Sequence, residues 1–310
     1  MPLPTPFALP DVARFGVLGG INYVLPARAA GLSFGLYANW DIAAELPPAE
    51  AAFWQMLRIT EEGSRETWAF LAEVIAAQPG SVWIVGNEPD VIWQDNVTPE
   101  RYAEIYHEAY TFIKERDPLA QLAMAGVAQP TPLRLAYLER VLLAYQEKFG
   151  EPMPVDIWTV HAFILREEAG SWGVDIPPGL AATEGALYEI ADHDDFEIFT
   201  ANLVVFRRWL WEQGYGERPL AVTEYGILMP PDYGFPPEAV ADFMTRSFDF
   251  FLSARDEEIG YAADDYRLVQ WWMWYSLHDD ELYQTGNLFE AETGQLTELG
   301  EVWRGYMNGR

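Results

Sequence analysis

The stretch Ser81-Val82-Trp83-Ile84-Val85-Gly86-Asn87-Glu88-Pro89-Asp90 is an apolar, β-branched run that stops on a polar turn. Such a run reads as a short strand buried on both faces, the kind found in parallel sheets. Pro89 removes a backbone donor, so the strand ends and the chain turns just beyond Glu88. A second run of the same kind, Leu220-Ala221-Val222-Thr223-Glu224-Tyr225-Gly226, also leads to a glutamate. With Ser81–Val85 and Leu220–Thr223, the runs Arg14–Leu18, Ser33–Ala38, Phe53–Ile59, Gln121–Val127, Ile157–Phe163 and Val269–Tyr275 make eight candidate strands.

Amphipathic stretches alternate with these runs and predict helices over Glu66–Ala77, Pro99–Arg116, Leu133–Phe149, Phe196–Gln213, Pro237–Arg255 and Leu299–Met307. Their ends carry helix punctuation: Thr98 before Pro99 at one start, Gly150 and Gly214 after two stops. The Ala30-rich segment between the first two strands is short for a helix. Strands alternating with helices predict a parallel sheet with helical crossovers, and eight strands are the number that closes a barrel. The expected fold is α/β, a single (β/α)8 TIM barrel forming one domain over residues 1–310. A doubly wound open sheet is the competing architecture. It usually carries a glycine-rich phosphate loop, and Gly16, Gly19 and Gly20 do not have the G-x-G-x-x-G spacing.

The 310 residues include 19 basic against 48 acidic side chains, a net charge of −29, and lysine occurs only at Lys114 and Lys148. A surface this negative repels phosphate backbones and anionic lipid, so neither nucleic acid nor membrane is an expected partner. A neutral substrate such as a sugar is indifferent to that field. There is no cysteine, which removes thiol nucleophiles, thiolate metal sites and disulfides together. The four histidines are scattered and form no H-E-x-x-H pattern. Asp192-His193-Asp194-Asp195 and His278-Asp279-Asp280-Glu281 read as solvated acidic loops rather than calcium sites. No G-x-S-x-G elbow is present. No metal and no cofactor is expected, and the protein is expected to act as a monomer. Met1–Pro10 lacks the basic and apolar regions of a signal peptide, and both secreted and cytoplasmic placement fit the sequence.

In a barrel enzyme, catalytic groups sit where strands end. Glu88 and Glu224 both occupy that position, and a carboxylate at the edge of an apolar interior has its neutral form favoured, which suits a general acid. Two carboxyl groups about 5–5.5 Å apart are the machinery of retaining glycoside hydrolysis. A glutamate that only caps a helix or forms a surface ion pair is the bland alternative, and the paired strand-end settings argue against it. Arg58, at the end of the third strand, is placed to hold Glu224 ionised or to pair with a loop carboxylate. Trp40, Trp93 and Trp274 are candidate sugar platforms, since sugar C–H faces pack on indole rings. Trp272 and Trp274 share one face of the eighth strand, Trp271 and Met273 the other. The long insert Leu165–Asp195 is expected to shape one side of the cleft.

Asn87-Glu88 on the fourth strand and Glu224 on the seventh resemble the clan A glycoside hydrolases, the 4/7 superfamily. Within that clan, Tyr37-Ala38-Asn39-Trp40, Phe53-Trp54-Gln55-Met56-Leu57 and Gly86-Asn87-Glu88-Pro89-Asp90 look similar to glycoside hydrolase family 128, a group of endo-β-1,3-glucanases. The first two pieces depart from that pattern, with Ala38 inside what would be Tyr-Asn-Trp and Arg58 after Met-Leu. The resemblance implies Glu88 as acid/base, Glu224 as nucleophile, and Asn87 bonded to the sugar 2-hydroxyl. It further implies His161 near the nucleophile, an aromatic floor from Trp272 and Trp274, and substrate contacts from Asn39, Trp40, Arg58 and Tyr225. The implied partner is a carbohydrate, a β-1,3-glucan in the first instance. A carbohydrate-binding barrel without catalysis, an inverting hydrolase and an exo-acting β-xylosidase or related glycosidase remain as alternatives.

Overall fold

The eight apolar runs pair side by side because each is too hydrophobic to leave either face in water. In the computed structural model, which describes residues 9–280 and 282–309, they form eight strands. These are β1 (Phe15–Gly19), β2 (Leu36–Ala38), β3 (Ala52–Leu57) and β4 (Val82–Val85). The other four are β5 (Gln121–Met124), β6 (Trp158–His161), β7 (Leu220–Tyr225) and β8 (Trp271–His278). All neighbours are parallel, in the order β5-β4-β3-β2-β1-β8-β7-β6. The ring closes between β5 and β6 through the parallel bridge Ala123–Ile157, where the Leu122 carbonyl accepts from Asp156 N–H at 3.0 Å and Ile157 N–H at 3.3 Å. The expected (β/α)8 barrel is the observed fold.

Among the described residues seven α-helices surround it: α1 (Ile21–Ala29), α2 (Trp68–Ala77), α3 (Pro99–Arg116), α4 (Pro132–Phe149), α5 (Phe196–Glu212), α6 (Pro237–Ser253) and α7 (Glu298–Asn308). The link from β2 to β3 carries none. The expected start of α2 behind Ser64 is corrected. Ile59–Thr60 and Gly63–Ser64 form a small antiparallel ribbon, and Thr67 caps the helix by accepting Phe70 N–H at 3.2 Å. The helix over Pro237–Arg255 stops at Ser253, because Arg255 instead bridges Arg267 and pairs with Asp265. The proline-rich start up to residue 8 and Glu281 of the second acidic loop lie outside the described residues.

Alternation along the strands divides the core into two layers. Leu18, Trp54, Met56, Ile84, Ala123 and Met273 fill the barrel interior. Phe15, Trp83, Trp158, Trp272 and Trp274 point outward and pack beneath the helices. Trp272 lies stacked on Phe251 of α6, with ring centroids 5.0 Å apart.

Candidate active site

The turn after β4 is shaped by one glycine and one strained residue. Gly86 has φ +98°, and a Cβ there would stand 3.0 Å from Ile59 Cδ1 and 3.3 Å from Ala125 Cβ, so only glycine fits without displacement. Glu88 itself has φ +43°, a left-handed conformation that costs a non-glycine residue energy and clusters at working sites. The backbone around it is pinned: Glu88 N–H donates to the Gly126 carbonyl at 3.2 Å and Val97 N–H to the Pro89 carbonyl at 2.8 Å. Asp95 Oδ2 accepts Asn87 N–H at 2.7 Å. No local pattern in the sequence marks Asp95, because its partners Arg58, Ile59 and Arg65 lie some 30 or more residues earlier in the chain.

Glu224 reaches the same rim through an irregularity in β7. Val160 pairs with Val222 but His161 pairs with Glu224, and on the other side Trp272 pairs with Val222 while Trp274 pairs with Tyr225. One extra residue in β7 therefore shifts the alternation, as a bulge does. The shift turns Glu224 into the barrel mouth and Tyr225 outward into the helix layer.

His161 stands between the two glutamates. Its Nδ1 lies 2.7 Å from Glu88 Oε1 and its Nε2 3.7 Å from Glu224 Oε1. The ring fits there because residue 126 is glycine; a Cβ would meet His161 Cδ2 at 2.5 Å. One donor atom from each of Glu88, His161 and Glu224 falls within 4.8 Å of the others. Among the described residues this is also the one group of three acidic or histidine side chains close enough to hold a metal ion. The Trp40 indole N–H donates to Glu224 Oε1 at 3.0 Å.

Burial pushes the Glu224 carboxyl up to about 7, with the Glu88 charge adding to the rise and His161, Trp40 and Arg58 pulling against it. Burial draws the His161 imidazole down, but Glu224 and Glu88 outweigh it and leave the histidine above its ordinary value. Asp90, just beyond Glu88, is pushed by burial to about 6 against the pull of Arg134.

A cleft of about 490 Å³ opens over these groups. Trp40, Glu88, Glu224 and Arg58 line it, as does Trp93, which is 71 % exposed. Trp172, Gly173 and Val174 of the long insert form one wall. Phe163, Tyr275 and Tyr283 complete the aromatic lining. Arg58 takes the loop-carboxylate option, donating from Nε to Asp95 Oδ1 at 2.7 Å, and so acts on Glu224 only at a distance.

Five expected contacts do not line the cleft. Trp272 and Trp274 are fully buried on the outer face of β8, and Trp274 N–H donates to the Gly286 carbonyl at 2.8 Å. The aromatic floor from β8 is Tyr275 instead, on the strand's inner face. Tyr225 is buried against α5 and α6, with Ser247 Oγ donating to its hydroxyl at 3.2 Å. Asn39 sits beside Trp40 without lining the cleft, its Oδ1 buried and unbonded. Asn87 lies directly beneath the cleft but is itself buried, its Nδ2 donating to Gln94 Oε1 at 3.3 Å. The acidic loop at residue 192 is used structurally: Asp195 caps α5 by accepting Glu197 and Ile198 N–H at 2.9 and 3.0 Å.

A buried ion network that sequence reasoning missed supports the wall. Arg134 of α4 reaches Asp90 Oδ2 at 3.0 Å, Glu167 Oε1 at 3.2 Å, and the carbonyls of Val174 and Asp175 at 3.0 and 3.1 Å. It thereby ties the Glu88 loop to the long insert. No signal in the sequence marks this arginine, because its partners lie about 40 residues away on either side.

No family model matches the chain, and no curated protein matches it either. Solved structures do. An endo-β-1,3-glucanase of glycoside hydrolase family 128, subgroup II, from Sorangium cellulosum superposes with a TM-score of 0.63 at 13 % identity, covering 94 % of this chain and 98 % of its own. A subgroup I endo-β-1,3-glucanase from Amycolatopsis mediterranei, solved with laminarihexaose, gives 0.63 at 16 % identity over 94 % and 99 %. A subgroup VII oligosaccharide-binding protein from Cryptococcus neoformans gives 0.59 at 15 % identity over 97 % and 95 %. At these identities the likeness is one of fold: this chain has the barrel that those proteins have, over nearly its whole length.

Proposed function

We propose that the protein is a retaining β-glycoside hydrolase acting on a β-1,3-glucan, with Glu224 as nucleophile and Glu88 as acid/base. The observation that supports this most is the placement of the two carboxylates, at the ends of β4 and β7, with oxygens within 4.8 Å of each other. Inverting enzymes hold their carboxyl groups about 6.5–9.5 Å apart to admit a water, and retaining ones about 5–5.5 Å. The fold shared with family 128 glucanases supports the substrate class. The acidic surface, at −29, is compatible with an uncharged glucan.

In the first step Glu224 attacks the anomeric carbon while Glu88 protonates the departing oxygen; in the second Glu88 takes a proton from the water that cleaves the glycosyl ester. Trp40 and His161 both approach Glu224 Oε1, which leaves Oε2 for the sugar. With His161 carrying its proton on Nε2, Nδ1 accepts from the Glu88 acid while Nε2–H faces Glu224. That one arrangement holds a protonated acid and an ionised nucleophile together. Moving a single proton from Glu88 Oε1 to Nδ1 gives the alternative state of the same charge.

The test is the hydrolysis of laminarin and of an activated aryl β-glycoside. Glu224→Ala is expected to lose at least ~10³-fold in kcat, and azide is expected to restore turnover with an α-glycosyl azide as product. Undiminished activity in Glu224→Ala sinks the nucleophile assignment, and release of the α-anomer by the wild type sinks retention. Binding of laminari-oligosaccharides with no cleavage by the wild type points instead to a binding protein.

A further inference from the structure

Beside Glu88 the cleft has a polar edge that none of the assigned roles uses. Gln94 lines it and is solvent-exposed, whereas Asn87 beneath is buried and does not line it. Two donors converge on the Gln94 side-chain oxygen: Asn87 Nδ2 at 3.3 Å and Arg58 Nη2 at 3.2 Å. Neither donor can accept, so the pair fixes which end of the Gln94 amide is oxygen. The amide nitrogen is left with two N–H groups and no protein partner among the described residues. Arg58 is in turn held by Asp95, whose other oxygen accepts the Asn87 backbone N–H. Asp95, Arg58, Asn87 and Gln94 thus form one closed chain of contacts ending in a pair of free donors at the cleft surface.

We propose that Gln94, its amide oriented by Asn87 and Arg58, supplies the donors that read a hydroxyl of the sugar ring bound at Glu88 and Glu224. Gln94 is a specificity-determining residue; Asn87 and Arg58 are positioning residues. A donor-only edge suits the lone pairs of a neutral sugar hydroxyl, and an oriented amide loses little freedom on binding one. This rests on the glycosidase reading of the same site.

The experiment uses dinitrophenyl β-laminaribioside and analogues that each lack one hydroxyl of the reacting ring. Gln94→Leu is expected to lower kcat/KM about 10-fold or more on the parent substrate and to cost nothing further on one deoxy analogue, the one whose missing hydroxyl Gln94 reads. Gln94→Glu, which replaces donors with acceptors at constant shape, is expected to follow the same pattern. Asn87→Ala, with the isosteric Asn87→Asp beside it in case the alanine variant does not fold, is expected to show its loss on the same analogue. An equal loss on every analogue, or none, overturns the proposal. So does an Asn87 effect confined to a different hydroxyl, which makes Asn87 a contact in its own right. A wild type inactive on all of these and on laminarin overturns the glycosidase reading instead, and the proposal with it.

Discussion

The barrel buries charge at both ends, and the cluster at the base differs in its proportions from those nearest the two glutamates. At the N-terminal end of the strands, Arg14 grips Asp264 with both terminal nitrogens at 2.7 Å. Arg267 reaches the same carboxylate at 3.3 Å. Gln270 stitches the cluster to β7 by accepting Leu220 N–H at 2.8 Å. Two guanidiniums serve one carboxylate there, and arginine does not lose its proton at any ordinary pH. At the other end Asp95 also takes two guanidiniums, from Arg58 and Arg65, but twice the ratio reverses: Glu88 and Glu224 share His161, while Asp90 and Glu167 share Arg134. Too few cations for the carboxylates leaves burial uncompensated, which is why Glu224 and Asp90 rise towards neutrality. One end pairs its carboxylate with surplus cations across the base of the barrel; at the other, burial pushes carboxylates towards their neutral form.

That contrast is broken most severely by Arg14→Met. Removing one partner of a buried pair costs about 3–5 kcal/mol, so urea unfolding should show a loss of that order while kcat/KM per folded molecule stays unchanged. A parallel loss of activity means the two ends are coupled.

The next effect concerns His193, buried between the loops after β6 and β7. Its Nδ1 faces the Ile164 carbonyl at 2.9 Å and its Nε2 accepts Leu228 N–H at 2.9 Å. Burial depresses it to about 4 from 6.5. A depressed folded value means stability present above pH 6.5 and lost as pH falls through about 4, worth about 3 kcal/mol at 1.36 per unit. His193→Gln should flatten the fall in melting temperature over that window; an unchanged slope assigns acid sensitivity to other groups. Glu224 and Asp90 have the opposite sign, since raised folded values stabilise at low pH and lose that contribution as pH rises.

His161→Gln should lower kcat/KM about 10²-fold with little change in stability. Losing the imidazole removes the largest pull that holds the Glu224 carboxyl down, so the acidic limb of the pH–rate profile should move to higher pH. A lower plateau with an unmoved limb makes His161 merely structural. Smallest is Trp40→Phe, which deletes one N–H donor to Glu224 and should cost about 10-fold in kcat. Trp274→Phe, on the outer face of β8, should leave kcat unchanged.

Much of this was readable in advance. All eight strands and the bounds of α3 are legible in the sequence, and strand-end position with the family resemblance points to Glu88, Glu224, His161, Trp40 and Arg58; the two glutamates, Trp40 and Arg58 line one cleft, with His161 buried between the glutamates. The failures share a cause. Tyr225 was expected in the cleft because it follows Glu224, and the bulge in β7 reversed its direction. Trp272 and Trp274 were correctly put on one face of β8, but the same pattern fits either face. Asp95 and Arg134 gave no local signal, since each joins segments distant in the chain.

Hydrophobic period, proline and glycine punctuation and the polar ends of apolar runs are local properties, and they determined the strands, the helices and the two glutamates. Which face looks inward depends on how the sheet closes. The extra residue that turned Glu224 inward, the imidazole placed between two carboxylates and the donors gathered on Gln94 were decided by tertiary structure alone. Each depends on atoms from strands far apart in sequence, whose separation of a few ångströms exists only once the barrel has closed.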